Sequence, residues 1–434
     1  MANELLETFR TAYRNLDPLP LIEPKELEGF WVPYGEDVLA ELEQLVEDRD
    51  SQDAKIIFAG HRGCGKSTLL ATFGRRLKAQ GYFTVFFSIS DTIEMSDVSH
   101  VTILFAIAVN LMYEAEQEGV ELPKGTRDAI YKWFATKTRT ETETPVSAEV
   151  SAGFNLFNII RGKLKSEASV RTEIKQEFER KISELVAQIN IIAAAIQGAT
   201  DETVLVIIDD LDKLDLADAE EIYRNHIKAL FLPNIPIIFT TSIASLREAS
   251  LRATMVTETN NQIVQMPVSK IFAKGDRRKE KPEPITSTFK TLYEALNKRM
   301  VADIIEPDIA EALVLYSGGL LRELVRLANV CCRICLRQIR REPERQDIKI
   351  DWNVLQMAVK DLRLDFETPL GKADYGILKT VYEQFTPEDP RAQPFLDLLH
   401  GLHVLEYKND EIWYDVHPIV EDLLRLKGFI FQNM

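Results

Sequence analysis

Cysteine is scarce in this chain, with four in 434 residues. Cys64 stands alone, and Cys331, Cys332 and Cys335 share one helical pattern without the paired spacing of a zinc site or a disulfide framework. They read as core hydrophobes, and a reducing cytoplasm is the expected location. Glycine (19) and proline (18) are too few for a fibrous or low-complexity protein. Long apolar runs are missing as well. The longest uncharged stretch, residues 229–246, is broken by Pro233, Asn234 and Pro236 and reads as a turn plus a buried strand, so no membrane partner is expected. The opening Met-Ala-Asn-Glu has neither the basic nor the apolar region of a secretory leader. Positive charge is in deficit: 52 Lys and Arg against 68 Asp and Glu leave a net charge of −16. Diffuse attraction to nucleic acid is thereby excluded, and any such contact needs a local basic patch. The histidines are scattered, with no triad or metal spacing, and no internal repeat is visible.

What remains is an ordinary globular composition, 45% hydrophobic and 28% charged, long enough for several domains. Residues 1–54 form an acidic, proline-punctuated lead-in with an amphipathic helix carrying Val38, Leu39, Leu42, Leu45 and Val46. From Lys55 to about residue 272, apolar runs at Ile56–Phe58, Phe83–Phe87, Val204–Ile208, Ile235–Thr241 and Ile263–Val268 alternate with helical patterns. That order predicts an α/β core around a parallel sheet. A helical insertion is expected around residues 120–200, with a Thr/Glu/Ser-rich stretch from Lys137 to Ser151 and one long helix near Ser169–Ile196. Ala273–Thr286 has linker composition. A helical lid domain is expected over 287–345, and a winged-helix-like module over 352–434, whose hairpin turns at Lys408-Asn409-Asp410.

Gly60-His61-Arg62-Gly63-Cys64-Gly65-Lys66-Ser67, followed by Thr68, fits the phosphate-loop pattern G-x-x-x-x-G-K-[ST], placed after a strand and opening a helix. Its glycines let backbone N–H groups approach phosphate oxygens, the helix N-terminus adds a positive dipole end, Lys66 supplies charge, and Ser67 offers a Mg²⁺ ligand. A second acidic element, Asp209-Asp210-Leu211-Asp212-Lys213, follows the apolar Val204–Ile208 run, at the carboxyl end of a strand where ligands bind in open α/β sheets. Asp209 suits a Mg²⁺ anchor and Asp210 a base that polarises water. Thr240-Thr241-Ser242 ends another strand with hydroxyls that either sense phosphate or cap a helix. Arg322, after Ser317-Gly318-Gly319, opens a lid helix and either reaches phosphate or serves structure.

With these motifs the chain resembles the additional-strand P-loop ATPases of the AAA+ and STAND type, including origin-recognition-like and archaeal-type members, over roughly residues 25–345. The resemblance implies ATP and Mg²⁺ as cofactors, Asp209 on the metal, Asp210 activating water, Thr241 as the first sensor and Arg322 as the second. Members of the AAA+ group more usually carry glutamate where Asp210 stands, which implies slow or partner-stimulated turnover. No arginine finger is assigned; Arg247 and Arg252 lie near the sensor strand. Bacterial antiviral defence and signalling are the settings in which such architectures are frequent.

On a 100° helical wheel Arg322, Arg326, Arg333, Arg337 and Arg340 share one face. The stripe suits nucleic acid or an acidic partner, or pairs with the chain's own carboxylates. Arg391–Leu399, the expected recognition segment of the terminal module, holds too few donors to read bases. The favoured reading is therefore a nucleotide-dependent conformational switch that binds ATP and ADP. Self-association or a protein partner is expected through the insertion or the terminal module. The alternatives are a DNA-associated ATPase of the loader or transposition-helper kind, and a P-loop kinase or non-hydrolysing scaffold.

Overall fold

The computed structural model describes residues 2–47, 54–138, 156–408 and 411–431. Most of the Thr/Glu/Ser-rich stretch (139–155) and Asn409-Asp410 of the hairpin turn lie outside them. Two compact units are present: Met1–Glu36, Gly60–Leu69 and Met266–Met434 make one, and Asp37–Ala59 with Leu70–Gln265 the other.

The second unit is built on the sheet. Strands β1 (Lys55–Gly60), β2 (Tyr82–Ser88), β3 (Thr203–Asp209), β4 (Ile237–Ser242) and β5 (Ile263–Met266) take the order β2-β3-β4-β1-β5. β3 pairs in parallel with β2 and with β4, in a register that sets Ser88 beside Asp209. The runs are rich in Ile, Val and Phe because both faces are covered; every residue of β1 and β4 is buried. The α/β fold expected for a P-loop ATPase is the one observed.

One covering layer is the insertion. Helix His100–Gln117 is apolar almost all round and buries Val101 through Met112. Helices Lys124–Lys137 and Leu156–Ser166 pack around it, with Phe105, Phe134 and Phe157 in edge contact. The single helix expected near Ser169–Ile196 is two, Ala168–Phe178 and Ile182–Thr200. They are separated by an exposed Glu179-Arg180-Lys181 corner that carries no Gly or Pro to announce it. Ile182–Thr200 is long and apolar enough to cross a membrane by composition, yet it buries Leu185, Ile189, Ile192 and Ile196 in this core.

In the first unit, helix Ala2–Asn15 lies on the lid helix Leu321–Arg341, where Asn329 Nδ2 donates to the carbonyls of Tyr13 (3.2 Å) and Leu16 (3.0 Å). The lid helix buries Cys331, Cys332 and Cys335 as hydrophobes, and burial pushes the Cys332 thiol up to about 12. Helices Trp352–Glu367, Asp374–Gln384 and Gln393–His400 precede the antiparallel hairpin of β6 (Val404–Lys408) and β7 (Ile412–Val416), then helix Pro418–Leu426. Three helices and a hairpin are the winged-helix order. The Ala273–Thr286 segment is no loose linker. Arg277 pairs with Asp415 (3.2 Å) and Glu421 (2.5 Å). Arg278 pairs with Asp415 and lies 3.8 Å over the Tyr382 ring. Charged composition reads the same whether the charges are solvated or, as here, matched by buried acids.

Candidate functional site

The phosphate loop departs from β1 and runs into helix Lys66–Ala79. Gly63 and Gly65 take left-handed φ of +79° and +103°, where a side chain would be strained. Space constrains them too. A Cβ on Gly65 would come within 2.4 Å of the Tyr34 hydroxyl, one on Gly63 within 2.8 Å of Arg322 Cβ, and one on Gly60 within 2.9 Å of the Met266 carbonyl. Lys66 is buried and folds back over its own loop, donating to the carbonyls of His61 (2.8 Å) and Gly60 (3.2 Å). Cys64 is buried and Ser67 half-buried, while Thr68 Oγ1 accepts from the Leu21 amide at 3.0 Å.

Three loop residues reach beyond the loop. The Gly63 carbonyl accepts from the Arg322 amide at 3.0 Å. His61 Nε2 accepts from the Glu406 amide of β6 at 2.9 Å, and Arg62 donates to His400 Nε2 at 2.8 Å. The expected lid arginine is therefore brought to the loop: its stem lies over Gly63 and its guanidinium makes no ion pair among the described residues. Tyr34, whose hydroxyl donates to the Gly65 carbonyl at 2.7 Å, belongs to this site and carries no motif that could have announced it. Burial holds its phenol above the ordinary range.

At the end of β3, Asp209, Asp210 and Asp212 bring one carboxylate oxygen each within 4.8 Å of one another. Asp210 sits at φ +68°. Its Oδ2 accepts from Ser88 Oγ (2.5 Å) and Ser90 Oγ (2.7 Å), and Lys213 lies 2.9 Å from Oδ1. Burial alone would raise its pKa, but the bonds from Ser88, Lys213 and Ser90 together hold it below the usual carboxylate value. The two hydroxyls of β4 separate cleanly. Thr240 Oγ1 donates to the Ile208 carbonyl (3.1 Å) and accepts from the Leu211 amide (3.0 Å), which shapes the acidic turn. Thr241 Oγ1 is buried with no hydrogen-bond partner among the described residues. Arg247 donates to Gln265 at 3.2 Å.

Residues 33–224, which hold both motifs, match the family model of the AAA ATPase domain. Those residues are similar to AAA ATPase domains, and the chain is a P-loop ATPase that binds nucleotide. No curated protein matches the chain. Solved structures similar to the ATPase include Cdc6p from Pyrobaculum aerophilum, at 11% identity over 95% of this chain and 98% of that one, TM-score 0.41. The Aeropyrum pernix ORC1 protein in complex with DNA shares 13% identity over 94% and 96%, TM-score 0.43. The Aeropyrum pernix ORC2 protein in its ADPNP–ADP complexes shares 12% over 96% and 98%, TM-score 0.40. Ser88 and Ser90 were also missed by the motif reading, since hydroxyls at strand ends are common and only the register beside Asp209 gives them meaning.

Proposed function

We propose that the ATPase is a nucleotide-dependent conformational switch whose phosphate loop is the part that the lid and the terminal module read. The observation that carries this is the set of three loop contacts, Gly63 to the Arg322 amide, His61 to the Glu406 amide and Arg62 to His400. A phosphate that engages Lys66 competes with its bonds to the Gly60 and His61 carbonyls and so rearranges the loop that carries these contacts, and such differential binding is what a ligand needs in order to shift an equilibrium. In this reading Gly60 to Thr68 hold the phosphates, Arg322 senses the γ-phosphate and Thr241 offers its buried hydroxyl to water or phosphate. Oxygen donors from Asp209 and Ser67 suit Mg²⁺, a hard cation. That ion would neutralise phosphate charge, while Asp210 takes the proton from the attacking water. A base held below its ordinary pKa by three donors is a weak one, which supports slow or partner-stimulated turnover. A setting in bacterial defence or signalling fits a switch of this kind, as does self-association or a protein partner, and a cytoplasmic location.

Hydrogen exchange tests the switch. Exchange at the Glu406 amide and over residues 400–408 should differ between Mg·ATP-analogue and Mg·ADP states; identical exchange in both overturns it. A second reading, a DNA-associated ATPase, rests on Arg333, Arg337, Arg340 and Arg341, which are exposed and make no ion pair among the described residues. Duplex DNA binding with a steep salt dependence, lost in an R333E/R337E/R340E variant, is its signature.

A further inference from the structure

A cleft of about 510 Å³ opens between the lid helix Leu321–Arg341 and the helices of the terminal module, a volume ordinary for a small-ligand site. Phe366, Leu370 and Leu398 give it an apolar lining. The carboxylates of Glu323, Asp365, Asp374 and Asp397 line it as well, against the single guanidinium of Arg326. That guanidinium is already committed, to Glu323 at 3.3 Å and to Asp365. Glu323 is 4% exposed whereas Asp365 and Asp397 are exposed, so negative charge runs from the depth of the cleft to its mouth. Burial pushes the Glu323 carboxyl above its ordinary pKa even beside Arg326, the mark of a charge short of compensation.

Acids alone are commonplace on so acidic a chain, and a histidine adds a specific demand. His403 is 5% exposed and lines the same cleft. Its Nε2 stands 2.9 Å from the Phe366 carbonyl, and because a carbonyl only accepts, the ring proton belongs on Nε2. Nδ1 is left with a lone pair, buried and without a hydrogen-bond partner among the described residues. It faces Gly401, also in the lining, where a Cβ would stand 2.8 Å from it; glycine keeps the space beside the nitrogen open. Burial holds the ring below the ordinary imidazole pKa, so the lone pair stays unprotonated. Among the described residues only Asp209, Asp210 and Asp212 bring three ligand atoms within 4.8 Å of one another. The separated acceptors of the cleft therefore suit a ligand with separated positive charges rather than one metal ion.

We propose that this cleft binds an aliphatic diamine, whose ammonium groups donate to the carboxylates and to His403 Nδ1 while its methylene body lies against Phe366 and Leu398. An ammonium has three donors and no acceptor, the complement of these walls. The ligand joins the two helices that touch the phosphate loop: Arg322, next to Glu323, donates its amide to the Gly63 carbonyl, and His400 accepts from Arg62. Occupancy thereby biases the contacts through which the loop is read, and this coupling, unlike the binding, rests on the switch reading.

Calorimetric titration of the nucleotide-free full chain with putrescine at fixed ionic strength tests the site, with 1,4-butanediol as the neutral mimic. Putrescine should saturate one site and butanediol should not bind. E323Q should weaken putrescine binding about 10-fold or more, the worth of a hydrogen bond between charged groups. G401A, which fills the space beside Nδ1, should weaken it too and carries the test if E323Q does not fold. D347N, which removes an exposed carboxylate outside the cleft, should leave binding unchanged. Absence of saturable binding, full affinity in E323Q and G401A, or an equal loss in D347N overturns the site. Under saturating Mg·ADP and a Mg·ATP analogue the putrescine affinities should differ about 5-fold or more. Equal affinities alongside nucleotide-dependent exchange at the Glu406 amide overturn the coupling alone. Equal affinities with unchanged exchange overturn the switch reading and leave the diamine site standing.

Discussion

The phosphate loop and the acidic turn of β3 are both engaged by hydrogen bonds, but to different kinds of element. The loop gives its His61, Arg62 and Gly63 to the terminal hairpin, to helix Gln393–His400 and to the lid helix. The acidic turn gives Asp210 to serines at the end of β2 and, through Ser90, to the insertion. Under the proposed function, this difference would divide two tasks: the loop would distinguish which nucleotide is bound, and the turn would set when it is cleaved. Substitutions on the loop side should move affinities and conformations. Those on the turn side should move kcat.

The largest expected effect on affinity lies on the loop side. Lys66→Ala removes the charged contact to phosphate and should cost about 100-fold or more in ATP affinity by calorimetry, with thermal stability kept. Retained ATP affinity would mean that the loop does not hold the phosphates. The comparison also predicts that Asp210→Asn leaves that affinity in place; if it fell as far as in Lys66→Ala, the two regions would not divide the work.

On stability rather than affinity, the largest effect is a break in the clamp that holds the terminal module. Asp415 and Glu421 are both 6% exposed and share the Arg277 guanidinium. Removing one partner of a buried ion pair leaves charge uncompensated, at a cost of about 3–5 kcal/mol. Arg277→Ala should lower the unfolding free energy by that amount in denaturant titrations and speed exchange at the Glu406 amide that bonds His61. Unaltered stability would return the segment to the loose linker that its composition suggests.

This segment shows where sequence reading stops. The strands were legible because Ile, Val and Phe in short runs have few alternatives, and the phosphate loop because its spacing follows from how backbone amides meet phosphate. Asp209 and Asp210 were legible by their place after β3. Tyr34, Ser88 and Ser90 were not, since each acts through a contact 31, 122 or 120 residues away. Thr240 and Thr241 look alike in sequence, and only the strand's pleat decides that one shapes the turn and the other keeps a free hydroxyl. The break at Glu179–Lys181 is set by packing of two apolar faces, with no local breaker to mark it.

The smallest effect, and the one that most sharpens the division, concerns Arg322. Its amide donates to the Gly63 carbonyl, its Cβ would meet a side chain at Gly63, and its guanidinium has no ion pair among the described residues, with buried Glu323 next to it in the chain. A guanidinium held this way suits bidentate donation to a terminal phosphate, which ADP lacks. Arg322→Ala should therefore keep ADP affinity and lose about tenfold in ATP affinity, the worth of a hydrogen bond to a charged group. Scattering profiles of the variant should be alike in the two nucleotide states, because the ligand no longer distinguishes them and a ligand with equal affinity for two states shifts nothing. Equal losses of ATP and ADP would make Arg322 a structural arginine of the Gly63 contact. A fall in kcat at unchanged ATP affinity would place it with the acidic turn and erase the division between the two regions.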